Sequence, residues 1–377
     1  MVRNLKRPLR VLHVIRGLRR GGVETWIMDV MRNTSRDELQ IDVCVGEHVK
    51  DAYEEEFESL GGKIWLCPLD KKKLWSFCRR FIQLLRAEQY DIIHSHAYYF
   101  SGLIFMLAAR AGVPKRINHI HPVEDLKAAQ PFRGFYVWWM KRWSNRYGTI
   151  SVGPSEASLT SFFGPAWRND PTKQVIYNGI RTDRFLQTVD RNKVRQELGI
   201  PEDAPIVINV SRFVPHKRHA FLVQVAEHVL AQAPDVYFLL IGAGELKEAI
   251  EEQVHRKGLA NHFRFIPGRP NIDSYWLAAD VFAFPSCNEG FGIVIAEASA
   301  AGLKVIAQDI PGVREAAAGC IDHTLLPLTT PADEWARLVL HALKQPRMPE
   351  SQRQAFLKEF PFTIENSVAK LREIYFS

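Results

Sequence analysis

The stretch Pro285–Ala307, PSCNEGFGIVIAEASAAGLKVIA, holds three kinds of segment in succession. A glycine-bearing loop carries the carboxylate of Glu289. An alanine-rich run with Glu297 eight residues on reads as a helix. The apolar run KVIA then reads as a strand. The apolar run VFAFPS precedes the loop, so the local order is strand, loop, helix, strand. That order is the crossover unit of a parallel sheet, because neighbouring parallel strands need a long, usually helical, connection.

The same grammar runs outward in both directions. Before the middle of the chain the candidate strands are RVLHVI, IDVCV, KIWL, DIIHSH, RINHIH, TISVG and QVIYNG; after it they are PIVINV, YFLLIG, FRFIPG, VFAFPS, KVIAQ and TLLPL. Amphipathic runs such as ETWIMDVMR, AFLVQVAEHVLAQA and ELKEAIEEQVHRKG separate them. Alternation of this kind predicts parallel sheets covered by helices on both faces. So many strands exceed what one open sheet holds, and 377 residues exceed one core. The expected fold is therefore α/β with two doubly wound, Rossmann-like domains facing across a cleft. The polar, turn-rich stretch from Asn178 to Pro205 marks the boundary. This predicts a first domain over 1–180, a second over 181–355, and a terminal helix over 356–377 that crosses back to the first.

Composition narrows the class. No apolar run approaches the ~20 residues a membrane helix needs, and the opening apolar patch is too short for a signal-peptide core. The five cysteines, Cys44, Cys67, Cys78, Cys287 and Cys320, show no finger spacing; an odd, scattered set suits a reducing compartment, so a cytoplasmic location is expected. Residues 1–180 hold 27 Lys and Arg against 18 Asp and Glu, whereas 181–377 hold 22 against 24. The basic surplus sits in the first half, which favours an anionic partner there or simple solubility. Charge alone would also admit a nucleic-acid binder, but no recognition motif accompanies it, and none is expected.

In open α/β sheets ligands bind beyond the carboxyl ends of strands. Four stretches fall there. In RGLRRGGVETW, Gly21 and Gly22 let a ligand approach the backbone at a helix start, or make a tight turn and nothing more. In NVSRFVPHKRH, Arg212 and Lys217 can neutralise a diphosphate, or be two solvated surface charges. In the opening stretch, Gly290 and Gly292 permit unusual backbone angles before a helix starting near Ile293, whose first N–H groups can hold a phosphate or sugar hydroxyl. Glu289 and Glu297 there can accept hydrogen bonds from vicinal diols; the plain alternative is a capped helix with one exposed acid. In HSHAYY and RINHIHP, His119 and His121 share one strand face. His-x-His alone does not make a metal site. His121 is expected to hydrogen-bond a ligand, with His119 supporting it; which of the two is the active histidine stays open.

Together these residues resemble the retaining, nucleotide-sugar-dependent glycosyltransferases of family 4, which have the GT-B fold. The resemblance runs from about Val11 onward. It rests on EGFGIVIAE, similar to that family's E-x7-E motif at Glu289 and Glu297, with GGVE, YNGI, VSRFVPHK, IGAGE and ADVFAFPS in the matching order. It is closest in flavour to exopolysaccharide, capsule and lipopolysaccharide assembly members. The resemblance implies that Arg212 and Lys217 bind the donor diphosphate. It implies that Glu289, with the backbone of Gly290, Phe291, Gly292 and Ile293, holds sugar and phosphate, and that Glu297 holds the ribose. Gly244 of IGAGE joins the donor site, Gly21 and Gly22 approach the phosphate, and His121 sits near the sugar's 6-position. A UDP-sugar is the expected donor, a GDP-sugar the second; no cofactor and no metal are expected. Two departures stand out: Pro122 where polar residues are usual, and Arg218 where Gly or Asn often follows the motif lysine.

The acceptor would be a glycan or lipid-linked. FRGFYVWWMKRWSNRYG sets Phe135, Trp139, Trp143 and Tyr147 on one helical stripe beside Arg142 and Arg146. That stripe suits an anionic membrane surface, or a core face packed on the sheet. Rival readings are a nucleotide-sugar epimerase and a non-catalytic nucleotide-sugar-binding pseudoenzyme.

Overall fold

The computed structural model describes residues 7–19, 21–47, 53–68, 74–121, 131–268 and 272–377. The chain forms two compact units, Met1–Gly179 with Ile364–Ser377, and Ile180–Thr363.

The first unit is built on strands β1 (Leu9–Ile15), β2 (Leu39–Val45), β3 (Ile64–Leu66), β4 (Ile92–Ser95), β5 (Lys115–His119), β6 (Ile150–Gly153) and β7 (Lys173–Val175). They form one seven-stranded sheet in the order β3-β2-β1-β4-β5-β6-β7. The second is built on β8 (Ile206–Val210), β9 (Tyr237–Ile241), β10 (Phe263–Ile266), β11 (Val281–Phe284), β12 (Lys304–Gln308) and β13 (His323–Leu326), in the order β10-β9-β8-β11-β12-β13. Each strand overlaps a run that the sequence marks as a strand, though β1, β2, β5, β7 and β13 begin one or two residues earlier. All the ladders are parallel; Val11 faces Ile41 on one side of β1 and Ile92 on the other.

The apolar runs are continuous because both sheet faces are covered. On β1, Leu9, Val11 and Ile15 enter one core while Leu12 and Val14 enter the opposite one. On β8, Ile206 and Ile208 pack on one side and Val207 on the other. At period two, a strand buried on both faces shows no polar alternation.

The expected helix over 356–377 is two pieces. Glu350–Lys358 is a helix, and Ile364–Phe376 is another. Pro361 lies between them, where it cannot continue a helix. Ile364, Val368, Leu371, Ile374 and Tyr375 of the last helix lie in the core of the first unit, and Ser367 Oγ accepts a 2.8 Å hydrogen bond from Trp26 Nε1.

In each sheet the strand order reverses between its first and fourth strands, β1 with β4 and β8 with β11. Crossovers leave to opposite sides there, so a crevice opens beyond the strand ends.

Candidate functional site

In the second unit the loops leaving β8 and β11 are fastened to each other. The carbonyl of His216 accepts from Cys287 N at 2.9 Å and from Ser286 Oγ at 3.2 Å. Lys217 Nζ donates to Glu289 Oε1 in an ion pair, with both side chains 12% exposed. The same ammonium stands over the Phe284 ring, 5.0 Å from its centroid. Two charges this far from water are costly to desolvate, and a single partner leaves lysine donors uncommitted. The pair can therefore still offer hydrogen-bond donors to a ligand.

Arg212 contrasts with it. Phe213 is fully buried, and Arg212 beside it is exposed. Among the described residues its guanidinium has no ion-pair partner. One cation is held by a carboxylate and the other is available to an anion.

The helix Ile293–Ala300 starts from Gly292, which adopts the left-handed conformation (φ 76°) and supplies no side-chain cap. Only glycine takes that conformation without strain. Phe291 is buried, edge-on to Phe362 at 4.9 Å. Its side chain belongs to the core, so only its backbone is available to a ligand. Glu297 is half-buried on the same helix. Gly290 and Glu289 rest on Gly312, whose added Cβ would meet the backbone carbonyls of both. Gly312 thus supports the candidate loop, a role that the sequence reading missed. Its signal was a glycine at the start of a helix, PGVRE.

Gly244 has a packing reason of its own. An added Cβ would lie 2.5 Å from the carbonyl oxygen of Phe213, and Phe213 N donates to Ala243 O at 3.0 Å. The loops after β8 and β9 touch backbone to backbone there, which positions Arg212.

Arg218 is left-handed at φ 55°. This explains the Gly or Asn often found at that place, since both tolerate φ above zero. Here the arginine is held by a 2.8 Å bond to Gln308 Oε1 and by the face of Phe221 at 4.3 Å. Next to it, buried His219 stacks on Phe213 at 4.1 Å, and burial with the Lys217 charge lowers its pKa to about 4.

In the first unit Gly21 caps the helix Gly22–Arg32 with extended backbone. The carboxylate of Glu24 folds back over it, 2.5 Å from where a Cβ would stand. An anion approaching Gly21 and Gly22 would have to move this acid. Pro122 lies outside the described residues.

The histidines extend further than His119 and His121. His13 on β1, His94 on β4 and His96 just beyond it join them on one sheet face. His13, His96 and His121 lie edge to edge: Nδ1 of His13 is 2.9 Å from Nε2 of His96, and Nδ1 of His96 is 2.8 Å from Nε2 of His121. His94 and His119 form a second row, 3.1 Å apart, stacked on the first with His119 over His121 at 4.1 Å. The Tyr375 hydroxyl joins the rows, 2.6 Å from His94 Nδ1 and 3.1 Å from His13 Nε2. Burial holds His13 and His121 down to about 3 and the other three well below the usual imidazole range, so all five are neutral at pH 7. His13 and Tyr375 came from chain positions that local pattern cannot connect. His96 was visible in HSH but had no stated role. His13, His94 and His96, and likewise His96, His119 and His121, are close enough to share a cation. Most of their nitrogens face one another in hydrogen bonds instead.

Residues 20–184 match the family described as Glycosyltransferase Family 4, and residues 190–358 match Glycosyl transferases group 1. The chain is a GT-B glycosyltransferase of the family 4 type. The first match begins at the Gly21–Gly22 turn, and the second spans Arg212, Lys217, Glu289 and Gly312. EpsF of Bacillus subtilis, named as a glycosyltransferase, is 28% identical over 97% of this glycosyltransferase and 96% of its own length. The capsular polysaccharide biosynthesis glycosyltransferase CapH of Staphylococcus aureus is 26% identical over 98% and 99%. Among solved structures, Anabaena Alr3699/HepE in complex with UDP-glucose covers 97% of this chain and 99% of its own with a TM-score of 0.79 at 21% identity, a likeness of fold.

Proposed function

We propose that this glycosyltransferase moves a hexosyl group from a UDP-sugar to a glycan or lipid-linked acceptor, with retention at the anomeric carbon, in assembly of a cell-surface polysaccharide. The observation that carries it is the Lys217–Glu289 pair, with an exposed Arg212 that has no ion-pair partner among the described residues, on the loops at the carboxyl ends of β8 and β11. CapH's naming for capsule synthesis and the UDP-glucose in the HepE complex support the polysaccharide and the donor.

In this reading a diphosphate enters beside Arg212 and Lys217. Glu289 orients the ammonium and accepts from the sugar; Glu297 accepts from the ribose hydroxyls. The backbone at Gly290, Phe291, Gly292 and Ile293 meets phosphate or sugar oxygen. The bond from the anomeric carbon to the diphosphate oxygen breaks. The acceptor oxygen bonds to that carbon on the same face, and its proton passes to the departing diphosphate. Fixed cations that meet charge as it develops stabilise the transition state, and positioning supplies the rest. Arg212 and Lys217 carry the charge role here, consistent with a reaction that needs no metal. Gly21, Gly22 and His121 are the candidate ligand contacts of the first unit.

The helix Arg133–Tyr147 favours a lipid-linked acceptor and a peripheral place on the inner face of the cytoplasmic membrane. Met140 and Ser144 are buried, whereas Phe135, Trp138 and Trp139 are 69%, 54% and 39% exposed beside exposed Arg142 and Arg146. Trp143 and Tyr147, on the same helical stripe as Phe135 and Trp139, are half-buried, so the stripe is divided between core and surface. Aromatics with flanking cations suit a lipid headgroup layer. Among the described residues no helix is long and apolar enough to cross a membrane.

The test is thermal unfolding with UDP-, GDP-, ADP- and CDP-sugars. A ligand at ~100 times its Kd adds about 2.7 kcal/mol. Stabilisation by UDP-sugars that Arg212→Ala removes is the expected result. Stabilisation by none at millimolar concentration sinks the donor assignment.

A further inference from the structure

The histidine rows and Tyr375 make one unbroken chain of hydrogen-bonding groups: His119, His94, Tyr375, His13, His96, His121. Ring geometry separates bonded neighbours from stacked ones. Bonded rings have centroids 5.1–5.2 Å apart and lie within 20° of coplanar. That is the spacing of two imidazoles joined edge to edge through a shared proton.

A neutral imidazole has one N–H and one bare nitrogen. Each link needs one of each, so the proton positions along the chain depend on one another. At one end, His119 Nε2 is buried with no partner among the described residues. At the other, His121 is partly exposed, and its Nδ1 has no partner among the described residues. If the protons point from His121 inward, His119 must carry its N–H on that orphan nitrogen. If the two rows both donate to Tyr375, its own O–H is left buried and unpaired. If the protons point from His119 outward, the orphan is a bare nitrogen and every buried donor is paired. Buried N–H groups without an acceptor are rarer and costlier than acceptors without a donor.

We propose that this chain has a single polarity, running from His119 outward, and that it fixes His121 as a neutral hydrogen-bond donor through Nδ1. His121 then selects an oxygen with a free lone pair, such as a sugar hydroxyl, ring or phosphate oxygen. It does not serve as a base that takes a hydroxyl proton. His96 is a positioning residue: its Nδ1–H occupies His121 Nε2 and leaves the proton no other place. The ligand side of this inference rests on the reading of His121 as a sugar contact; the proton positions do not.

The experiment is long-range nitrogen–proton NMR on the full chain with 15N-labelled imidazoles, at pH 7.5 and without ligand. His96→Gln and His96→Phe are compared with the wild type. The expected spectrum places the His121 proton on Nδ1 in the wild type and in His96→Gln, whose amide can still donate to Nε2. In His96→Phe the proton moves mostly to Nε2, and donor KM rises about fivefold for a lost neutral hydrogen bond, while His96→Gln keeps the wild-type value. A wild-type His121 protonated on Nε2 overturns the proposal, whether or not the variants fold. One zinc per chain retained by the purified protein overturns it too, because coordination takes the same nitrogens. The expected wild-type spectrum with unchanged KM in both variants upholds the polarity and removes the sugar contact.

Discussion

Lys217 and Glu289 stand 72 residues apart in the chain and meet in an ion pair between the loops that leave β8 and β11. Each is the other's counter-charge in a site mostly closed to water. Lys217→Ala should therefore act twice. It leaves a half-buried carboxylate unpaired, and in the proposed mechanism it removes a cation from the leaving diphosphate. The expected loss in kcat/KM is about 10²–10³, with a measurable fall in Tm. Wild-type turnover of a UDP-sugar by Lys217→Ala would falsify its placement at the donor.

Arg212→Ala should separate function from stability. Arg212 is exposed and makes no ion pair among the described residues, so unfolding free energy should change by no more than about 0.5 kcal/mol. Donor-induced stabilisation should vanish. Denaturant titration with and without UDP-sugar reads both; a large loss in the unliganded protein would point to a structural arginine.

Gly312→Ala tests the shelf beneath Glu289 and Gly290. The new methyl collides with two backbone carbonyls rather than with a yielding side chain. Overpacking of this kind costs about 1–3 kcal/mol. Differential scanning calorimetry should show the second unit's transition lowered. Donor affinity should fall with it, because the loop carrying Glu289 is displaced. An unshifted transition would mean the loop moves freely.

Arg218 offers a comparison between two truncations. Both Arg218→Ala and Arg218→Gly lose the Gln308 bond and the Phe221 face. Only glycine escapes the left-handed strain, so Arg218→Gly should be the more stable by about 1 kcal/mol. Equal stability in urea unfolding would show that the backbone relaxes.

Acid should weaken the protein before its carboxylates titrate. The five stacked histidines stay neutral when folded, with His13 and His121 held to about 3 by burial. In the unfolded chain they take protons near pH 6.5. Below that value the unfolded state binds more protons, so stability falls as pH drops from about 6.5 toward 3 and is level above it. Tm measured from pH 8 to 5 should be flat to 7 and then decline steeply. A flat profile to pH 5 would show that the imidazoles are not held neutral.

The strands were legible because both-face burial writes itself as short, continuous apolar runs, and VFAFPS or PIVINV needs no partner to be read. The loop glycines and Glu289 were legible through their place after those runs. Other features depend on distant partners. Gly312 matters only because Glu289 lies over it. His13 and Tyr375 meet only after the last helix folds onto the first sheet. The helix break before Ile364 was written in Pro361, but the apolar spacing on either side hid it. Arg218 looked like a departure in chemistry; the structure makes it a question of backbone angle.

The position of the last helix also sets an order of events during synthesis. The sheet of the first unit is complete once Val175 has been made, yet one face of it waits for Ile364, Val368, Leu371 and Ile374. The whole of the second unit is translated in between. A nascent chain thus holds a finished sheet with an uncovered apolar flank and a histidine row without Tyr375 for the entire time that residues 180–363 are added. Protection of that flank, by a chaperone or by slow consolidation of the first unit, is a requirement of the chain order itself.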